Sequence, residues 1–209
     1  MKGEKSTKSS TKTEKQSTQP IPSRKDGALF FPDFPTFRPN LTPKQMLQMG
    51  SFGGTYFRQI HSSITNMDYK DVHKEFPDDW FRGLDIKKMV TSETCYHEIN
   101  KYGVRAGSSL YAWERSGWIK PQDPYGWFQW YCRFYMGRRS PDDQRQVDRW
   151  NNYAGERRGR WRRNLVGKIL KANTNFDDFN VSPVIRQGLQ HWGYILTKKD
   201  FMKHKKNMV

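Results

Sequence analysis

The sequence predicts a mainly α fold: a single compact multi-helix domain that carries an extended aromatic strap and follows a basic tail. Three observations support this class. Helix-start signals recur along the chain, glycines follow the expected helix ends, and strand signals are weak. The length of 209 residues suits one domain plus a tail. Because hydrophobic residues make up only 34% but aromatic residues 15%, we expect a core built largely from rings.

Capping residues followed by proline mark four helix starts, at Thr42-Pro43, Asp123-Pro124, Ser140-Pro141 and Ser182-Pro183. Together with glycines at expected ends, they predict helices over residues 43–49, 109–116, 124–136, 141–153, 160–172, 183–192 and 198–205, with two shorter ones near 68–75 and 85–101. Residues 124–136 are apolar nearly all round, which is typical of a central buried helix.

The segment 29–40 combines three prolines with four phenylalanines. Proline fixes φ and blocks helix, so this segment is predicted to be an extended strap whose rings pack on the core. Docking of the strap into another protein is the alternative. The best strand pattern lies at 53–60 and a shorter one at 194–196, which leaves room for a small β-hairpin at most.

Residues 1–25 hold seven basic residues, two acids and nine Ser/Thr, with almost no apolar residue. Such a composition predicts a disordered basic tail, because too little surface can be buried to offset the ordering entropy. Residues 26–209 are then the single helical domain. The composition of the tail fits three roles equally well: an arm that binds polyanions, a nuclear localisation signal, or a leader segment that keeps the protein soluble.

The net charge of +16 predicts attraction to nucleic acid, acidic protein or an anionic membrane surface. No apolar run approaches the roughly 18–20 residues of a membrane span, and the first residues lack the apolar stretch of a secretory signal. Cys95 and Cys132 are too few for a secreted disulfide scaffold. We therefore expect an intracellular protein, nuclear or associated with nucleoprotein, that is not secreted and has no membrane partner.

Residues 133–163 contain ten arginines, no lysine and only four acids, with six aromatic residues in or beside the run. Arginine grips phosphate bidentately and stacks on rings, so this composition predicts a nucleic-acid partner, either DNA or RNA. The predicted binding residues are Arg138, Arg139, Arg145, Arg149, Arg157, Arg158, Arg160, Arg162, Arg163 and Lys171.

Helical spacing in 160–172 places Arg160, Arg163, Gly167 and Lys171 on one face and apolar residues on another. This face is predicted to contact the phosphate backbone. The preceding helix and a glycine-flanked turn resemble a helix-turn-helix, but the turn is long, so base reading is the less favoured alternative. A further alternative is that the arginines pair with the protein's own acids and stack on its own rings.

No motif assigns a catalytic residue, a metal or a cofactor. The Ser51–Thr55 turn lacks a P-loop signature and is better explained as a glycine turn, and the pairs Asp78-Asp79, Asp142-Asp143 and Asp177-Asp178 are poor metal sites because neighbouring helical carboxylates diverge. Two other functions stay open: a structural component of a ribonucleoprotein particle or virion, and an enzyme acting on nucleic acid or nucleotides. The candidates for an enzymatic pocket are Asp123, Asp143, His97 and Glu114.

Five segments carry a resemblance to known proteins: LFFPDFPTFRPNLTP, GSFGGTYFR, NKYGVRAGSSL, DPYGWFQWYCRFYMGRRSPDDQRQ and SPVIRQGLQHWGY. They resemble a family of small basic proteins from microbial eukaryotes and large DNA viruses that has no assigned activity. The resemblance covers most of residues 29–196 and implies one domain with a variable N-terminal tail. It implies no mechanism and no site.

Overall fold

The computed structural model describes residues 22–206, and over this range the protein is mainly α, as predicted. Its helices are α1 (Pro43–Gln48), α2 (Ile86–Met89), α3 (Leu110–Arg115), α4 (Trp127–Tyr135), α5 (Asp143–Tyr153), α6 (Arg160–Lys171), α7 (Pro183–His191) and α8 (Lys198–Lys206). Two antiparallel hairpins accompany them, formed by β1 (Ser23–Lys25) with β2 (Ala28–Phe30) and by β3 (Ile60–Ser62) with β4 (Met67–Tyr69).

Helix α4 lies at the centre of the core, which confirms the interpretation of its all-round apolar sequence. Of its nine residues, only Arg133 and Tyr135 are not buried. The buried polar ends of its rings are satisfied, because Trp130 donates to the Asp143 carboxylate at 2.8 Å and Tyr131 donates to the Leu41 carbonyl at 2.6 Å. A ring-rich core is stable only when such donors find acceptors.

The aromatic strap crosses this core as predicted. Phe31 and Phe37 are both buried, and the Phe37 ring lies 5.2–6.0 Å from six other rings of the core, that of Phe31 included. Asn40, at the end of the strap, accepts from the backbone N–H of Ile195 and donates to its carbonyl. The strap therefore ties the N-terminal part of the described chain to the segment that follows α7.

The predicted strands at 53–60 and 194–196 are wrong. Phe52, Gly53 and Gly54 all have positive φ, between 57° and 79°, and form a 3-10 turn, so the chain curls where an extended strand was expected. At 194–196 the Asn40 amide takes the place of a neighbouring strand. The first hairpin instead lies at Asp26-Gly27, whose φ values of 56° and 82° suit the tight turn of a two-residue loop.

Three further boundaries need correction. The central helix begins at Trp127 rather than 124, because Gly126 adopts φ 82° just before it. The two short helices near 68–75 and 85–101 shrink to 3-10 turns and the four-residue α2. Residues 23–25, which we assigned to the tail, form strand β1, whereas the predicted disorder of residues 1–21 lies outside the described residues.

Candidate nucleic-acid interface

The first part of the arginine run is paired within the fold. Asp123 is 1% exposed, and its two oxygens accept from Arg138 at 2.8 and 2.6 Å while one also accepts from Arg133 at 2.9 Å. Arg133 also contacts Glu75 with two of its nitrogens. A carboxylate this deeply buried needs such partners, since an unpaired buried charge is strongly destabilising.

Three more of the predicted binding residues are paired in the same way. Arg139 contacts Asp33 and stacks 3.9 Å from the centroid of Phe134. Arg145 binds both oxygens of Asp142 at 2.5 and 2.7 Å. Further along, Arg162 is 4% exposed and forms an ion pair of 2.8 Å with Asp200 on α8, so its side chain joins two helices and does not point to solvent.

All the remaining predicted residues except Arg149 are exposed to water. Arg157, Arg160, Arg163 and Lys171 are exposed, and no carboxylate of residues 22–206 lies within 4.0 Å of their charged groups. The same holds for Lys168, which sequence analysis omitted although it lies on the same helix. Arg158 lies between the two groups: it is exposed, and its guanidinium is 3.5 Å from the carboxylate of the half-exposed Asp148, a contact of little energetic value.

Helix α8 packs beside α6 and extends this surface. Its buried Phe201 lines a cavity of about 230 Å³ together with Leu170 and Phe176, and Lys198 and Lys205 line the same cavity. We define the basic face by its seven exposed cations: Arg157, Arg160, Arg163, Lys168 and Lys171 on and just before α6, and Lys198 and Lys205 on α8.

The nearest acids do not neutralise the basic face. Glu156, which immediately precedes it, contacts Lys203, and this contact lowers the pKa of Glu156 below its usual value. Asp200 is the partner of Arg162. From residue 157 to residue 176 the sequence contains no Asp or Glu. The positive charge of the basic face is therefore uncompensated within the described chain.

Arg149 belongs neither to the arginines that are paired with carboxylates nor to the exposed cations of the basic face. It is partly buried, yet within residues 22–206 its guanidinium donates a hydrogen bond to one acceptor, the amide oxygen of Gln146 at 2.9 Å. Its guanidinium lies 5.3 Å from the ring centroids of both Trp118 and Trp192. Burial, followed by the repulsion of Arg145, lowers the pKa of Arg149 to about 10. Trp118 was not predicted as part of the site, because it lies outside the arginine run and is marked only by its position in a polar segment after Gly117.

The carboxylates considered for an enzymatic pocket all have structural partners. Asp143 accepts from the Ser140 amide and hydroxyl and from Trp130, and Glu114 accepts from Ser62 and Ser63. His97 is exposed in a 3-10 turn. The cavity beside α8 is lined by none of them.

The Ser51–Thr55 turn is a structural turn, because its amides already have acceptors. Phe52 donates its N–H to His191 at 2.9 Å, and Gly53 donates to the side chain of Asn100 at 2.7 Å. Within residues 22–206 no three His, Cys, Asp or Glu side chains are grouped closely enough to hold a metal ion.

Comparison with family models, with curated proteins and with solved structures finds no match to this chain. Among the helices of the described residues, none combines the length and the apolar character that crossing a bilayer requires.

Proposed function

We propose that the protein binds nucleic acid by contacting its phosphate backbone with the basic face of α6 and α8. The observation that carries this proposal is a contrast between two groups of cations. No carboxylate of residues 22–206 lies within 4.0 Å of the seven exposed cations of the basic face, whereas Arg133, Arg138, Arg139 and Arg145 are each paired with a carboxylate of the fold. Clustered cations of this kind attract polyanions and release their counterions on binding.

The arrangement on α6 costs stability in the isolated protein. Arg160 and Arg163, and likewise Lys168 and Lys171, are three residues apart, a spacing that brings like charges together on a helix surface and disfavours the helix by a few tenths of a kcal/mol per pair. No acid on α6 relieves this repulsion. A phosphate backbone laid along the helix would do so.

Gly167 gives this face a place of close approach. It lies in the interior of α6 among the exposed cations, and a Cβ added there would meet no atom within 4 Å. Glycine at such a position destabilises a helix by about 0.5–1 kcal/mol relative to alanine. Packing within the protein does not require it, whereas a bare backbone lets a ligand strand come near the helix.

The proposal therefore uses only part of the predicted site. Arg138, Arg139, Arg145 and Arg162 are assigned to the fold, because each is held by a carboxylate of the protein. Contact with the backbone is proposed for the basic face, with Arg158 at its edge. Whether the bound nucleic acid is free or belongs to a larger nucleoprotein assembly does not alter this chemistry.

The test compares two triple variants of the full chain that remove the same charge. One carries Arg160→Gln, Arg163→Gln and Lys168→Gln in the basic face; the control carries Lys70→Gln, Lys87→Gln and Lys120→Gln, three exposed lysines without ion pairs elsewhere on the described surface. Binding of labelled DNA and RNA oligonucleotides is measured by fluorescence anisotropy at low salt.

The basic-face variant is expected to bind about 100-fold more weakly, with a salt slope shallower by about 2–3, as three lost phosphate contacts require. The control should stay within about threefold of the original protein. Equal losses in both variants would show a diffuse charge effect and would overturn the assignment of the site, and absence of binding by the original protein at low salt would overturn the function itself.

A further inference from the structure

Six side chains form one continuous stack across the surface next to the basic face. They comprise four aromatic rings and two guanidinium groups, and each successive pair of centres is separated by 4.8–5.9 Å. We call this stack the aromatic ladder; its members, in spatial order, are Trp118, Arg149, Trp192, Tyr153, Trp161 and Arg160.

The ladder is open at both ends. Trp118 is 45% exposed, and Arg160 at the other end is an exposed member of the basic face. Its inner members are partly buried, and the Trp192 ring also stacks on buried Trp127 at 4.4 Å, which anchors the ladder to the core. A molecule that follows the ladder from Trp118 would therefore reach the cations of α6.

Arg149 gives the ladder a charge that is only partly compensated, because no carboxylate of residues 22–206 pairs with it directly. The neighbouring carboxylate, Asp142, already binds Arg145 with both oxygens, so two guanidinium groups share one negative charge. Two indole faces and one amide oxygen stabilise Arg149 less than a carboxylate would, and desolvating a cation without an anionic partner is costly. The charge of Arg149 is thus available to an incoming anion.

We infer that the aromatic ladder binds single-stranded nucleic acid, with an unpaired base stacked on the outer face of Trp118 and its phosphate charge balancing Arg149. This inference rests on the proposed function and specifies its ligand. Aromatic platforms beside a cationic groove hold single strands in this way because every base offers a flat ring face. A duplex cannot stack a base on Trp118, because its bases are already stacked on one another within the double helix.

The experiment measures three 12-residue ligands, namely poly-dT, poly-U and a DNA duplex of the same length, against the full chain at low salt. Trp118→Ala is compared with Trp118→Phe and with Phe179→Ala. Phe179 is a matched control: it is 52% exposed and lies beneath the cations Lys101 and Arg186, but it is no part of the ladder.

Trp118→Ala should weaken binding of both single strands about 5- to 100-fold, the loss expected for one stacked base, and should change duplex binding less than about twofold. Trp118→Phe should restore most of the loss, and Phe179→Ala should have no effect. Equal losses for single strands and duplex, or no loss for either, would overturn the inference.

These outcomes separate the two proposals. Binding of strands and duplex that is sensitive to the basic-face substitutions but indifferent to Trp118→Ala would leave the proposed function standing and remove the ladder from it. Failure of the original protein to bind any of the three ligands would overturn both.

Discussion

The arginines between 133 and 149 and the cations between 157 and 171 belong to one continuous basic stretch, but the fold treats them differently. In the first region Arg133, Arg138, Arg139 and Arg145 each contact at least one carboxylate. In the second region Arg162 pairs with Asp200 at 2.8 Å and Arg158 contacts Asp148 at 3.5 Å, whereas no carboxylate of the described chain lies within 4.0 Å of the other cations.

The difference shows that the net charge of a segment does not reveal which of its cations lack a carboxylate partner in the folded protein. Two of the partners in the first region come from distant parts of the chain: Glu75 is 58 residues from Arg133, and Asp33 is 106 residues from Arg139. No acid of the described chain is brought to the basic face in the same way. Charge that the fold leaves unused is the charge available to a partner.

The largest effect on stability is expected from Asp123→Asn, which tests whether the paired arginines of the first region stabilise the fold. Arg138 would lose its only carboxylate and Arg133 one of two, so the free energy of unfolding should fall by about 3–5 kcal/mol. Urea denaturation measures this. The control Asp148→Asn removes an exposed contact of 3.5 Å and should change stability by less than about 0.5 kcal/mol. Comparable small effects for both would remove the distinction between the regions.

His191 contrasts with the paired arginines of the first region, because it is a buried base that has no acidic partner among the described residues. Its Nε2 accepts from the Phe52 amide, and burial lowers its pKa from the ordinary 6.5 to about 3. The unfolded chain therefore takes up a proton first as the pH falls. The free energy of unfolding should fall between about pH 6.5 and pH 3, with a contribution of up to about 1.4 kcal/mol per pH unit.

His191→Gln keeps an acceptor for the Phe52 amide but cannot titrate, so denaturation curves from pH 7 to pH 4 should show a shallower pH dependence. The exposed His97→Gln is the control and should leave the slope unchanged. If the pH dependence of stability is the same in His191→Gln, protonation of His191 does not destabilise the folded protein, and the prediction is wrong.

A smaller effect is expected from a matched pair of arginines, one from each region. Arg139→Gln removes the contact with Asp33 and the stacking on Phe134, so stability should fall by about 1–2 kcal/mol while the affinity for nucleic acid stays the same. Arg163→Gln should leave stability within about 0.5 kcal/mol and weaken binding about three- to tenfold. A variant that changes both quantities equally, or a reversal of the two patterns, would contradict the division.

Much of the fold was predictable from local signals. Proline after a capping residue and glycine beyond the last turn located most helices, and the capping box at Thr42 is present in the structure. The errors fell where long-range contacts decide. The turn at Phe52 is held by His191 and Asn100, and the extended segment at Ile195 is held by Asn40, none of which a local pattern can reveal.

The candidate site was predictable only in part, for the same reason. Helical spacing indicated that Arg160, Arg163 and Lys171 share an exposed face, and the structure places them there. The same spacing puts Arg162 on the buried face with Leu165 and Ile169, but it could not show that the carboxylate of Asp200 on another helix is its partner. The aromatic ladder was invisible for a related reason, because Trp118, Arg149 and Trp192 come from separate parts of the chain.

Lysine footprinting tests the central claim most directly, because it locates the contact surface in the unaltered protein. The full chain is acetylated with and without a saturating oligonucleotide, and mass spectrometry reports the modification of each lysine. Binding through the basic face predicts protection of Lys168, Lys171, Lys198 and Lys205, with Lys70, Lys87 and Lys120 modified as before. Protection of the second group, or unchanged modification of the first while the oligonucleotide is bound, would contradict the account.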